Sequence, residues 1–575
     1  METTVKKSLV NKLERLYGEQ RALSVTSEVM ELIQTYKQKQ IEPEKKWVDE
    51  KDIMMITYGD SIKEEGEAPL KTLREFLSDH LTNEINAVHI LPFYPYSSDD
   101  GFSVMDYRTI NEELGSWDDI RALSHQSDLM FDAVINHISS KSKWFKEYLK
   151  GNEAYQDYFV EADPKADYSK VTRPRALPLL TKVETSNGEK HIWTTFSEDQ
   201  IDLNYESDRV LLEVLDILLT YVEKGARFLR LDAIGFMWKK LGTTSIHLEE
   251  THLLVQVMRE VLEEAAPGTI VITETNVPHK DNISYFGNGS NEAHLVYQFP
   301  LPPLTLHSFQ TGEASELTQW AKSLEPTTDS TTYFNFLASH DGIGVRPVEG
   351  ILTPSEVERM ADKVQTNGGY VSYKDNGDGT KSPYELNINY LDAISTNGES
   401  VEKKAKRFIA AQSVLLSLMG VPGIYVHSLL GSQNDLEGVK ETGRYRSINR
   451  EKLTRSSLEE ELQTEGSLRN LVFNDLKALI SIRKSTKAFH PNASQQVLEM
   501  DRRVFSVVRT NEQTGDRVVA IINVSDETVP VQQETFDSYV KGTAHDLISD
   551  RKISSDITLS PYEVIWLHST LEVSS

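Results

Sequence analysis

The chain has 575 residues, enough for two to four domains around a large core, with 88 acidic against 61 basic residues and a net charge of −27. That charge repels polyanions and argues against general nucleic-acid binding, so an anionic ligand needs a local basic patch. Cysteine is absent, which excludes disulfides, thiolate metal sites and cysteine nucleophiles.

The first stretch, "METTVKKSLVNKLERLYGEQ", carries lysines but no apolar signal-peptide core. It predicts an amphipathic helix, and residues 1–50 read as an N-terminal helical extension. From residue 51 to 494, short apolar runs alternate with helical patterns: "IMMITY", "AVHILPF", "LMFDAVIN", "ARFLRLDAI", "TIVITETN", "HLVYQF", "TYFNFLASHD" and "GIYVHS". Such alternation marks a parallel α/β fold, and eight runs predict a (β/α)8 TIM barrel. Two intervals, about 139–205 and 342–400, are too long for simple connections. They predict inserted subdomains after strands 3 and 7, at the face where insertions build a substrate pocket. From 495 to 575, alternating strands with polar turns predict a C-terminal antiparallel β domain of seven strands or fewer. The most apolar long stretch, "SVLLSLMGVPGIYV", is too short and too interrupted to span a bilayer. The expectation is a cytoplasmic protein with neither membrane nor nucleic-acid partners.

Chemistry concentrates at the ends of these runs. "FLRLDAIGF" sets Arg230 and Asp232 into a run that otherwise reads as a strand buried on both faces. An acid at a strand end is more often a cap or an ion-pair partner than a catalyst. Four segments in order change that balance: "DAVINH", "RLDAIGF", "ITETN" and "ASHDG" each end a different strand, so their side chains converge on one mouth of the barrel. Three carboxylates beside an arginine and two histidines form a costly arrangement unless it is used. Retaining glycosyl transfer needs one ionised and one protonated carboxylate, roughly 5–5.5 Å apart. Asp232 beside Arg230 suits the ionised role. Glu274, after an apolar strand with no basic neighbour nearer in sequence than His279, suits the acid role through burial.

These segments resemble the four signature regions of the α-amylase superfamily, glycoside hydrolase family 13. The resemblance implies Asp232 as nucleophile, Glu274 as general acid/base, Asp341 as the acid stabilising the distorted sugar, and Arg230 as the residue orienting the nucleophile. "HILPFYPYSSDDGFSVMDY" and "RYRSINRE" resemble the sucrose phosphorylase subfamily, which implies that Asp99, with Asp100 close behind, and Arg450 hold a terminal glucose together with His137 and His340. Phe196 resembles an aromatic that packs on the glucosyl ring, and Gln200 follows it. Tyr384 matches a tyrosine on a mobile acceptor loop. Glu385 departs from the glutamine usual after that tyrosine, which turns the expectation away from fructose as acceptor. Arg173 and Arg175 in "TRPRALP", with Arg444 and Arg446 in "TGRYRSINR", supply guanidiniums for phosphate or carboxylate.

Across almost the whole chain, "RLDAIGFMWK", "ITETNVPHKDNI" and "VYQFPLPPL" are most similar to bacterial glucosylglycerate phosphorylases. The resemblance implies reversible phosphorolysis of 2-O-α-D-glucosylglycerate, with inorganic phosphate as co-substrate and dimerisation as is common in the subfamily; the motifs of the chain call for neither a metal nor an organic cofactor. Glucosylglycerol, sucrose and sucrose 6-phosphate phosphorylases are the alternatives within the class. An α-glucosidase or transglucosidase is the alternative outside it. Other signals are weaker. "DNGDGT" lacks oxygen ligands at the alternate positions of a calcium loop and predicts a polar hairpin turn. His247 and His252, five apart, do not share the helix face that zinc would need.

Overall fold

The computed structural model describes residues 2–41, 43, 45–540 and 543–570. Eight parallel strands form a closed barrel: β1 (Met54–Thr57), β2 (Ala87–Ile90), β3 (Asp128–Ala133), β4 (Ala226–Leu231), β5 (Ile270–Thr273), β6 (Leu295–Tyr297), β7 (Thr332–Asn335) and β8 (Val421–Tyr425). Each pairs with its sequence neighbours, and β8 closes on β1. All eight apolar runs become these strands. Every residue of β1, β2 and β4 to β8 is buried, which is why they read as continuous apolar runs rather than alternating ones.

At the N-terminus, helices Glu2–Tyr17 and Glu19–Lys37 form a hairpin about Gly18, whose φ of 82° suits glycine. Leu9, Leu13, Val25, Val29 and Ile33 bury one face of it. The hairpin docks on the barrel's outer helices Asp208–Glu223 and Glu249–Ala265, where Tyr36 Oη donates to Asp216 Oδ1 at 3.0 Å and Lys12 Nζ to Glu260 Oε2 at 2.8 Å.

The long connection after β3 folds into two short strand pairs, His137–Ser139 with Gln200–Asp202 and Leu180–Thr185 with Gly188–Trp193. The connection after β7 holds helix Pro354–Thr366 and a three-stranded sheet of Ile343–Gly344, Lys381–Asn387 and Tyr370–Asp375. "DNGDGT" is the turn of that hairpin, closed by the Asn376 amide on the Thr380 carbonyl at 3.0 Å. After the helix Leu468–Lys484 the described residues form eight strands, six in one antiparallel sheet and two in another. That exceeds the seven or fewer expected from sequence. Strands of two or three residues, such as Lys552–Ile553, are too short to carry an alternation signal. No helix among the described residues is long and apolar enough to cross a membrane.

Candidate active site

Register places the catalytic candidates side by side. Leu231 of β4 pairs with Ala133 of β3 and with Thr273 of β5. The next residues, Asp232 and Glu274, therefore leave adjacent strands at one level. The ladder continues into them: the Asp232 amide donates to Ala133 O at 3.2 Å, and the Glu274 amide to Leu231 O at 3.0 Å. Both backbones are thus pinned before the chain turns away. Ala233 makes that turn in the left-handed conformation (φ 50°, ψ 34°), an uncommon geometry for alanine, and its amide donates to Glu274 Oε2 at 3.1 Å.

Arg230 and Asp132 are register partners on β4 and β3. Arg230 Nη1 lies 2.5 Å from Asp132 Oδ1 and 2.8 Å from Asp232 Oδ1, its Nε donates to Tyr297 Oη at 3.0 Å, and Nη2 is 3.9 Å from Glu274 Oε2. One buried guanidinium therefore serves two buried carboxylates and grazes a third. Asp132, which no motif singles out, takes the shorter bond and also binds His89 Nε2 at 2.6 Å. Burial pushes the Asp232 carboxyl up, Arg230 opposes it, and Asp132 adds to the rise. Glu274 is pushed up to about 7, first by burial and then by Asp232 and Asp341, against the pull of Arg230. The only charge-assisted hydrogen bond from Arg230 to this pair falls on Asp232, so the ionised member is Asp232 and the proton sits on Glu274.

Asp341 goes the other way. Burial would raise it, but His340, Arg446, Arg450 and Arg230 hold its carboxyl well below the usual range. Arg446 Nη1 lies 2.7 Å from Asp341 Oδ1. The rest of that guanidinium grips Glu385 in a fork, Nε to Oε1 at 2.9 Å and Nη2 to Oε2 at 2.7 Å. His340 is brought down to about 3 by burial and is neutral at neutral pH, with its ring stacked on Phe102 at 4.9 Å.

These groups line an inner pocket of about 150 Å³ formed with Asp99, Phe102, His137, Phe196, Gln200 and Phe236. That volume is on the scale of one six-membered ring, and the charged and polar lining suits one that carries hydroxyls. Gln200 Nε2 donates to Asp99 Oδ2 at 3.0 Å, Arg175 Nη2 reaches the same oxygen at 3.3 Å, and His137 Nε2 is 2.8 Å from Phe102 O. Arg450 does not line the inner pocket. It donates to His340 O at 2.8 Å and pairs with Asp100 rather than Asp99, standing at the wall of an outer cleft of about 1020 Å³.

The two spaces share Tyr384, Glu385, Arg175, Arg446 and Arg346. Of the arginines expected to meet an anion, Arg173 lines the outer cleft only, with a bond to Leu177 O, and Arg444 stands 3.7 Å from Asp100. Arg346 was missed by sequence reasoning: "GVRPV" has no chemical mark, and only the folded loop aims it at the cleft. His247 and His252, set aside for zinc, are bound to Tyr285 Oη at 2.6 Å and Glu292 Oε1 at 2.7 Å.

A family model described as the α-amylase catalytic domain matches residues 81–347. A glucosylglycerate phosphorylase of Escherichia coli (strain K12) is 45% identical over 565 residues, 98% of this chain and 100% of that protein. One from Spirochaeta thermophila is 48% identical, covering 90% of each. The chain belongs to glycoside hydrolase family 13. The solved sucrose 6F-phosphate phosphorylase from Thermoanaerobacter thermosaccharolyticum shares the fold, with a TM-score of 0.72 at 24% identity over 89% of this chain and 98% of that one. The family's barrel explains why the segments fall where they do: in a TIM barrel, residues at the carboxyl ends of the strands form the site.

Proposed function

We propose that this enzyme catalyses the reversible phosphorolysis of 2-O-α-D-glucosylglycerate to α-D-glucose 1-phosphate and glycerate, with retention. The observation that carries the proposal is a pocket for one ring, with oppositely poised Asp232 and Glu274, opening into an arginine-lined cleft in a chain of net charge −27. Arginines gathered there select anions that the rest of the surface repels. The two relatives named above, glucosylglycerate phosphorylases matched over nine-tenths or more of the chain, support the same substrate.

Asp232 attacks the anomeric carbon while Glu274 gives its proton to the departing glycerate oxygen, leaving a β-glucosyl ester. A phosphate oxygen then attacks the same carbon and expels the Asp232 carboxylate. Two inversions give retention. Asp341, held anionic by Arg446, stabilises positive charge on the ring in both transition states. Phosphate arrives as an anion, so Glu274 is less demanded in the second step. Phosphate is a co-substrate, and carboxylates and guanidiniums supply every step without a cofactor. A cytoplasmic location and a homodimer complete the proposal.

The test is an acceptor screen with α-glucose 1-phosphate as donor, following phosphate release with glycerate, glycerol, fructose and fructose 6-phosphate. Glycerate should give the highest kcat/KM. Release that proceeds equally without any acceptor would identify a hydrolase instead. Within the same assignment, Glu274→Gln should retain turnover of α-glucosyl fluoride, whose leaving group needs no proton, whereas Asp232→Asn should abolish it. Equal losses in the two variants would undo the division of roles.

A further inference from the structure

Three arginines reach the inner pocket from the acceptor side: Arg175, Arg346 and Arg446. Their partners differ. Arg446 is fully engaged, its Nε and Nη2 on Glu385 and its Nη1 on Asp341. Arg175 is tied to Asp99 and lies over the Phe196 ring, 5.4 Å from its centroid. Arg346, half-buried, has no side-chain hydrogen bond and no ion-pair partner among the described residues. In a chain with 27 more acidic than basic residues, an arginine left uncompensated in a pocket wall is an outlier. A partly desolvated guanidinium without an anion is destabilising until a ligand supplies one.

The backbone holding Arg346 is fixed rather than loose. Gly344 packs so closely on Asn276 that an added Cβ would lie 2.7 Å from Nδ2. The Val345 amide donates to Tyr384 O at 3.2 Å, Val345 and Val348 are buried, and Pro347 follows directly. Arg346 therefore opens the 3-10 turn Arg346–Val348 just after the strand Ile343–Gly344, and its neighbour Val345 ties it to the hairpin bearing Tyr384. Its charge also bears on the Tyr384 hydroxyl, together with those of Arg446 and Arg175.

We propose that Arg346 receives the anionic group of the acceptor, the carboxylate of glycerate in one direction and phosphate in the other, and so sets the preference for anionic over neutral acceptors. This rests on the phosphorylase assignment and deepens it. It also reassigns Arg446: the fork to Glu385 makes that residue a clamp on Asp341, not the acceptor's partner.

The experiment uses α-glucosyl fluoride as donor, so that no anion is needed to form the glucosyl enzyme, with glycerate, phosphate or glycerol as acceptor. For Arg346→Gln, the ratio of kcat/KM for glycerate to that for glycerol should fall on the order of 10–100-fold, as loss of a charge-assisted hydrogen bond to an ion predicts, and the phosphate-to-glycerol ratio should fall likewise. Arg346→Lys should restore part of both ratios. Because each variant is compared with itself on glycerol, a general loss of activity leaves the ratio readable. Ratios within about twofold of the parent enzyme in both variants would overturn the assignment of Arg346. Failure of the parent enzyme to use either anion better than glycerol would instead overturn the phosphorylase assignment beneath it.

Discussion

At the scale of single residues, the site turns on how one arginine divides its charge. Arg230 gives its shortest bond to Asp132, a direct bond to Asp232 and only a distant approach to Glu274. This graded arrangement lets two buried carboxyls differ in protonation. With Glu274 raised to about 7, it is protonated below that pH and loses its proton as pH rises through it. Cleavage of glucosylglycerate, whose leaving group needs that proton, should therefore decline about tenfold per pH unit on the alkaline side of 7. α-Glucosyl fluoride should show no parallel decline, so paired pH profiles of kcat/KM separate the two; coincident alkaline limbs would assign the titration elsewhere. Asp232, Glu274 and Asp341 were legible as candidates in the sequence because each follows an apolar run, and Arg230 because it sits inside one, two residues before Asp232. Asp132 was not, since "LMFDAVIN" marks it only as an acid inside a strand. Its partners Arg230 and His89 lie on neighbouring strands, and register alone brings them together.

At the scale of elements, the eight strands could be read because burial on both faces leaves a continuous apolar signature. The wiring of the second insertion could not. Asp341 leads through Gly342 into the short strand Ile343–Gly344, which pairs with Glu385 and Leu386 of the acceptor hairpin. Arg446, 61 positions beyond Glu385, then locks the hairpin to Asp341. No local pattern encodes a contact of that span. Gly342 makes it possible, because a Cβ there would lie 2.5 Å from Glu385 Cγ. Gly342→Ala should push Glu385 off Arg446 and release the clamp on Asp341. Stability should fall by about 1–3 kcal/mol, as overpacking does, while kcat/KM falls on the order of 10²-fold, as for a displaced catalytic group. Parallel denaturation and kinetics test this: an activity loss no larger than the stability loss explains would remove the hairpin from the catalytic apparatus.

At the scale of the whole molecule, buried arginines with no carboxylate partner among the described residues join the parts. Arg483 donates to the carbonyls of Leu416 at 2.9 Å, Glu50 at 3.0 Å, Gly420 at 3.2 Å and Phe489 at 3.2 Å, joining the segment before β1, the approach to β8 and the turn leading into the C-terminal strands. Arg509, from within the C-terminal sheet, donates to Ser417 O at 3.1 Å and His490 O at 2.8 Å, and Trp566 Nε1 reaches Ser417 Oγ at 3.1 Å. A boundary drawn near residue 495 from the change in sequence pattern thus crosses a seam of shared hydrogen bonds, which argues that barrel and C-terminal sheet unfold together. Arg483→Met keeps much of the buried stem but orphans these carbonyls. It should cost about 3–5 kcal/mol while leaving kcat/KM at low temperature within about twofold, because the site lies at the opposite ends of the strands. Calorimetry should show one transition in the parent enzyme and one, at lower temperature, in the variant. Two resolved transitions in the parent would mean that the C-terminal sheet is an independent unit and that these arginines merely decorate its border.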